Sequence, residues 1–367
     1  TVVVNDDFII KPVDGFGTPD LLRVTLATEK PDILFLFTDP RFFTWLFEIE
    51  DEIKEVCPIV WWHVWDNYPY PEYNRFYYEA TDAINCHSHM TYSMIKEKFP
   101  EKTNFIPHAI PENIFHPIPE KDALAHKKNL LGPNRLDHFT GIWVNRNAKR
   151  KRPNDVLESF SKFLDLLEKR EGHRKASLIM HTEPNDSEGP NLFATAEMLG
   201  IHENIFFSRD RLDFDKMNIL YNISDYCVNI SFAEGFGLAT LESMMAGVPI
   251  IAAKTGGLTR QVVNHRNKSQ NGVAIDIKLQ SLVGSQTVPY IYEDYVDNFD
   301  VAKAMFKLYK INKDPNRRSK LKKKVLDYAR KEFSYQDTVD MWHKSMLDTV
   351  SEFKKNKNNK KWTITEF

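Results

Sequence analysis

Residues Ser231 to Gly257 read SFAEGFGLATLESMMAGVPIIAAKTGG. The stretch opens on a Gly-rich turn, Glu234-Gly235-Phe236-Gly237. An apolar run then extends from Leu238 to Ala246, broken by Glu242 and Ser243. Gly247 and Pro249 stop that run, and Pro249-Ile250-Ile251-Ala252 has the composition of a short buried strand. The pattern predicts a turn, a helix that begins at the glycines, and a strand. A helix N-terminus presents unpaired N–H groups and about half a positive charge, which suits a phosphate. Gly237 lets the backbone approach such a ligand closely. Glu242 sits among Leu241, Met244, Met245 and Ala246, where a charge is costly without a partner. It follows Leu238 by one turn and shares the face that begins at the glycines. With Glu234 in the turn itself, two carboxylates frame one anion site, and carboxylates accept hydrogen bonds from the hydroxyls of sugars and riboses. A second turn, Thr255-Gly256-Gly257, follows the next strand.

Outward from this stretch, strands alternate with helices. Strands are expected at Phe139 to Asn145, Ser177 to Met180, Ile205 to Phe207 and Tyr226 to Ile230, with helices near 191–199, 213–222 and 238–246. The segment NRNAKRKRPNDVLESFSKFL is a basic loop leading into an amphipathic helix with Val156, Leu157, Phe160, Phe163 and Leu164 on one side. Alternation of this kind predicts a doubly wound parallel sheet, whose ligands sit beyond the C-terminal strand ends. Asn145-Arg146, Ser208-Arg209 and Glu234–Gly237 each follow a strand directly, so they converge on one edge.

A second α/β region lies upstream. Ile33 to Phe37, Pro58 to His63, Ala83 to Cys86 and Asn104 to Ile106 read as strands. Asp39 with Pro40 starts one helix, and Ser88 caps another that runs to about Lys98. In WWHVWDNYP, His63 and Asp66 stand just past a strand end; a packed histidine and a turn cap are the plainer readings of each. Trp61, Trp62, Trp65, Tyr68 and Tyr70 fill a core or stack on a sugar. The opening to about Thr28 has no clear period beyond a turn at Asp14–Gly17. Residues 121–137 read as a linker or extra loop, and 264–292 as a loop insertion. Helices are expected at about 297–312 and 315–332, and a long one to Phe353. Lys354 to Lys361 reads as a solvated, disordered basic end, or as a contact with an anionic membrane surface.

The chain has 367 residues, 42% hydrophobic and 27% charged, with 49 basic against 51 acidic side chains. This is an ordinary soluble composition long enough for two domains, and its charge balance gives no sign of nucleic-acid binding. Cys57, Cys86 and Cys227 are far apart and odd in number, which argues against a disulfide framework or zinc site and for a reducing, cytoplasmic compartment. No run is apolar and long enough for a transmembrane helix. No signal peptide is visible, with a processed or trimmed N-terminus left open.

Glu234 and Glu242, with seven residues between them, resemble the E-x7-E motif of retaining glycosyltransferases of the two-Rossmann-domain (GT-B) type, family 4. EGFGL, the A-G-V-P-I-I run and the T-G-G turn match that family in order and spacing. IPHAIPENIFHPIPE resembles its interdomain connection, with Ala109 where Gly is common. The strand and Gly-rich loop that open the family's first domain have no match before Pro31; either they precede Thr1 or the Gly15 region is a degenerate form.

The resemblance implies an α/β GT-B architecture, two Rossmann-like domains facing across a cleft. The expected limits are 1–120 for the acceptor side, 138–335 for the donor side, and 336–367 for a helix returning to the first domain plus the basic tail. It implies a nucleotide-sugar donor and a glycan acceptor, with Arg146 and Lys151 neutralising the departing diphosphate at the family's spacing to Phe160. Arg152 replaces the usual Gly. Glu234 would bind the donor sugar, Glu242 the ribose, and the Gly235–Leu238 backbone the diphosphate, with Gly256 and Gly257 alongside. Arg209 would lie near the base, and His63 or Asp66 would meet the sugar or acceptor. No Asp-x-Asp pair stands in a plausible metal loop, so neither metal nor cofactor is expected. A nucleotide-sugar epimerase or a phosphorylase of the same fold, and an inactive sugar-nucleotide-binding protein, are the rival readings; no lysine motif for pyridoxal phosphate is visible.

Overall fold

The computed structural model describes residues 1–359. Two parallel sheets carry the chain. The first holds Leu34–Phe37, Ile59–His63, Ala83–Cys86 and Thr103–Phe105, neighbours in chain order. The second has six strands, ordered Gly272–Ile275, Ile250–Ala253, Tyr226–Asn229, Phe139–Val144, Ala176–His181 and Ile205–Ser208. Strand order reverses between Phe139–Val144 and Tyr226–Asn229. This is the switch point of a Rossmann sheet, where a crevice opens at the C-terminal strand ends.

Both faces of the second sheet are covered, which is why its strands are nearly continuous apolar runs. Helix Pro153–Glu171 covers one face with Val156, Leu157, Phe160, Phe163 and Leu164, all fully buried. Helix Leu238–Met245 packs Leu241, Met244 and Met245 against the other. Asp213 caps helix Phe214–Asn222 by accepting from the Lys216 N–H at 2.9 Å, so Asp213-Phe214-Asp215 serves a helix start. The three cysteines are free and buried.

Four segments differ from the sequence expectations. The aperiodic opening forms a hairpin, Val2–Asn5 with Phe8–Ile10, and a helix, Pro19–Glu29, that Thr18 caps. The expected linker at 121–137 contains a helix, Glu120–Leu131. Its charged residues are strong helix formers, and Lys127 lays its stem inward to donate to the His138 carbonyl at 2.6 Å. The expected insertion at 264–292 supplies the edge strand Gly272–Ile275 and an antiparallel arm, Leu279–Val283 with Ile291–Tyr295. That arm reaches the first domain, where the Tyr292 N–H donates to the Tyr68 carbonyl at 2.9 Å and Asn67 donates to the Tyr292 carbonyl.

The fourth is the basic end. Residues 354–359 continue the last helix, Tyr335–Asn359, while Lys360 and Lys361 lie outside the described residues. This helix packs back on the first sheet. Trp342 meets Phe35 and Trp62 edge-on at 5.3 and 5.0 Å, Ser345 bonds Asn85 at 3.1 Å, and Lys354 pairs with Asp32 at 3.2 Å.

Candidate active site

Because both sheets are parallel, their C-terminal strand ends face one cleft of about 680 Å³. The first sheet contributes Asp39, Arg41, Val64, Trp65, Asp66, His87 and His108, each just beyond a strand. The second contributes Asn145, Arg150, Lys151, Asn229 and Glu234 through Ala239, and the arm adds Val288 and Ile291.

Lys151 and Glu234 form the centre. The Lys151 ammonium bonds the Glu234 carboxylate, and the two side chains are 9% and 12% exposed. Burial lowers the Lys151 pKa from its ordinary value, and Glu234 pulls it back up. An ion pair this dry is sustained only when both charges have partners; Asn229 and Ser231 also point at the same Glu234 oxygen, at 3.4 Å. Asp66 faces this pair from the other sheet. Burial pushes its pKa up to about 6, with Arg150 opposing and Glu234 reinforcing the rise.

The glycines act in two different ways. Gly237, at φ 91°, precedes the first residue of helix Leu238–Met245 and bends the chain so that the helix N-terminus meets the cleft. Gly256 and Gly257 do not line the cleft. They pack behind it: a Cβ on Gly256 would collide with the Glu234 carbonyl, and the Gly257 N–H donates to that carbonyl at 2.9 Å. The second turn therefore buttresses the first. Phe236 is buried against Phe333 and His108.

Four expected side chains, His63, Arg146, Arg209 and Glu242, lie elsewhere. His63 is buried in the first domain's core, with Nε2 2.8 Å from the Tyr78 hydroxyl, and burial drives its pKa down to about 3. Strand alternation explains this: Trp61 and His63 share the face toward Tyr78, and Trp62 takes the other. Arg146 points out of the cleft. Its side chain is 58% exposed and pairs with Asp186 at 2.8 Å and Glu188 at 3.0 Å. It lines an adjoining hollow of about 390 Å³ with Asn145, His181 and Arg209, the last paired with Glu183 at 3.3 Å. Glu242 turns toward helix Phe214–Asn222, where its Oε2 accepts from the Tyr221 hydroxyl at 2.6 Å. Burial raises the Glu242 pKa, and the Tyr221 bond restrains that rise.

The sequence reading passed over Arg150, Asn229, His87 and His108. Arg150 is exposed yet forms part of the cleft wall. His87 follows a strand directly and His108 stands three residues past another, and the strand-end rule that selected His63 would have selected them.

Comparison with known proteins now places the second domain. Residues 133–283 match the family model of glycosyl transferases group 1. A D-inositol 3-phosphate glycosyltransferase of Acidothermus cellulolyticus is 26% identical over 181 residues, which are 48% of this chain and 38% of that protein. The N-acetyl-alpha-D-glucosaminyl L-malate synthase of Bacillus anthracis is 25% identical over 198 residues, 52% of this chain and 46% of that protein. The matches thus span less than half of these relatives' length. Among solved structures, Anabaena Alr3699/HepE in complex with UDP and glucose superposes with a TM-score of 0.66 at 14% identity, covering 91% of this chain and 84% of the other. Sucrose-phosphate synthase from Thermosynechococcus elongatus gives 0.64 at 16% identity, covering 93% and 77%. Residues 133–283 are thus similar to the glycosyl transferases group 1, and the two parallel sheets across a cleft form a GT-B fold.

Proposed function

We propose that the protein is a retaining glycosyltransferase that moves a hexose from a UDP- or GDP-sugar to a hydroxyl of a sugar or glycan, with neither metal nor cofactor. The buried Lys151–Glu234 pair at the switch point, beside a helix N-terminus, carries this reading. The diphosphate would lie between the Gly237–Leu238 amides and Lys151. Glu234 would accept from the hexose hydroxyls, and the nucleoside would extend toward Glu242 and the hollow lined by Arg146 and Arg209. Cleavage of the sugar–phosphate bond leaves charge on the phosphate, and a positioned ammonium stabilises that charge as it grows. The acceptor oxygen would bond the anomeric carbon from the same face, and its proton would pass to the departing phosphate oxygen, so no protein nucleophile is needed. The acidic partner group Asp66 and the arm residues Val288 and Ile291 would shape the acceptor side. A cytoplasmic setting belongs to the same proposal; among the described residues no helix is long and apolar enough to cross a membrane.

Calorimetry with UDP, GDP and ADP, then a nucleotide-sugar screen read by hydrolysis, tests the reading. Absence of binding to all three nucleotides would overturn it. Turnover is expected to survive excess EDTA; a complete loss that magnesium or manganese restores would show that Lys151 is not the leaving-group cation. Glu242→Ala is expected to weaken binding of the cognate nucleoside diphosphate by about 1.5–3 kcal/mol, the worth of a charge-assisted hydrogen bond. Unchanged affinity would mean that Glu242 serves Tyr221 alone.

A further inference from the structure

His87 is an anomaly in the cleft wall. It directly follows the strand Ala83–Cys86 and is 4% exposed, yet neither ring nitrogen has a hydrogen-bond partner. Buried polar atoms without partners are rare and costly, so each asks for an explanation. Its protein neighbours offer none. The ring lies against His108 at 5.0 Å, Phe236 at 6.3 Å and Trp62 at 6.4 Å between centroids. His87 lines the cleft with Asp66, Lys151 and Glu234, so a molecule bound there is the remaining candidate partner. The Gly235 turn packs against this ring: a Cβ there would stand 2.8 Å from His87 Nε2, so only glycine lets the ring lie this close to the turn.

We propose that His87 is a substrate-positioning residue that hydrogen-bonds a hydroxyl of the sugar held between the Gly235 turn and the first domain. This rests on the glycosyl-transfer reading and deepens it. The chemistry follows from the ring's state. Burial and the neighbouring His108 push the His87 pKa well below its ordinary value, and burial takes His108 down to about 4. Both are neutral at pH 7. A neutral imidazole offers one N–H and one lone pair, which is the complement of a hydroxyl. It is a poor partner for a phosphate, and the cations for that, Lys151 and Arg150, come from the opposite sheet. The hydroxyl belongs either to the transferred hexose or to the acceptor.

The test uses UDP-glucose and GDP-mannose as probes, with His87→Ala and His87→Gln variants. His87→Ala should leave the Kd for UDP or GDP within about threefold, because the nucleotide does not reach it. If the hydroxyl is on the donor hexose, hydrolysis in the absence of acceptor should fall about 10- to 100-fold in kcat/KM. If it is on the acceptor, hydrolysis should hold and transfer to methyl glucoside should fall. Gln, which keeps a donor and an acceptor, should restore most of the loss. Deoxy analogues of the hexose then identify the group: one of them should slow the wild type as much as the alanine change does, and slow His87→Ala no further. His87→Ala with wild-type hydrolysis and transfer would overturn the proposal while leaving the transferase reading intact. So would a loss that extends equally to UDP alone, or one that no deoxy position reproduces. A wild-type protein that binds no nucleoside diphosphate would instead overturn the transferase reading itself.

Discussion

Lys151→Ala is expected to lower kcat at saturating donor by about a hundred- to a thousand-fold, the usual cost of removing one preorganised group at a developing charge. Donor binding should weaken far less, because the ammonium gains most of its interaction as the phosphate departs. Five basic residues crowd 146–152, and they serve as internal controls. Lys149 is exposed, and its loss should cost roughly tenfold or less, as surface charges contribute about 1 kcal/mol or below. Arg150 lines the cleft without being buried, so its effect should fall between the two. Arg146 is held by Asp186 and Glu188 outside the cleft. Its substitution should act chiefly on the nucleotide KM, through the hollow it shares with Arg209. Rates of the four single mutants decide the matter. A kcat loss at Arg146→Ala equal to that at Lys151→Ala would mean that the guanidinium leaves its acids in the loaded enzyme and joins the lysine. A comparable loss at Lys149→Ala would mean that the spacing selected the wrong lysine.

The legible part of this molecule is the part governed by short-range rules. The turn, helix and strand of 234–253 follow from glycines, an apolar run and a proline. Ser88, Asp39 and Asp213 cap where hydrogen-bonding side chains precede helices. The convergence of strand ends also follows from alternation alone, and it brought Lys151, Glu234 and Asp66 to one cleft. What strand ends do not reveal is which face a residue takes. His63 lies at the correct end of the correct strand, and parity turns it into the core beside Tyr78, whereas His87, just past the neighbouring strand, lines the cleft. Arg146 was decided by Asp186 and Glu188, forty residues away in sequence, which no local pattern contains. The arm at 279–295 falls largely within the expected loop insertion at 264–292, because Gln280 and Ser281 dilute a five-residue strand and its partner lies across a polar turn. Its hold on Tyr68 and Asn67 depends on how the two sheets sit together.

Glu234→Gln is expected to cost about a hundredfold or more at neutral pH, and most of that loss should pass through Lys151. The lysine is buried, and burial favours its neutral form; the carboxylate is the main influence restoring the charge. A neutral amine cannot stabilise the leaving phosphate, so turnover is full below the Lys151 pKa and falls as pH rises through it. Replacing Glu234 by the uncharged isostere removes the influence that raises that pKa. The alkaline limb of the kcat profile should therefore move to lower pH, by about one unit or more for a carboxylate in direct contact. The pair should also behave as one unit. Lys151→Ala already strands the carboxylate, and Glu234→Ala already strands the ammonium. The double variant should then be little worse than the poorer single one, rather than the product of both. kcat measured from pH 6 to 10 for the wild type, Glu234→Gln, and the two alanine variants with their combination supplies both readings. An alkaline limb unmoved by Glu234→Gln would show that something other than this contact keeps Lys151 charged. Multiplicative losses would show that Glu234 and Lys151 serve the donor independently, the acid on the sugar and the base on the phosphate.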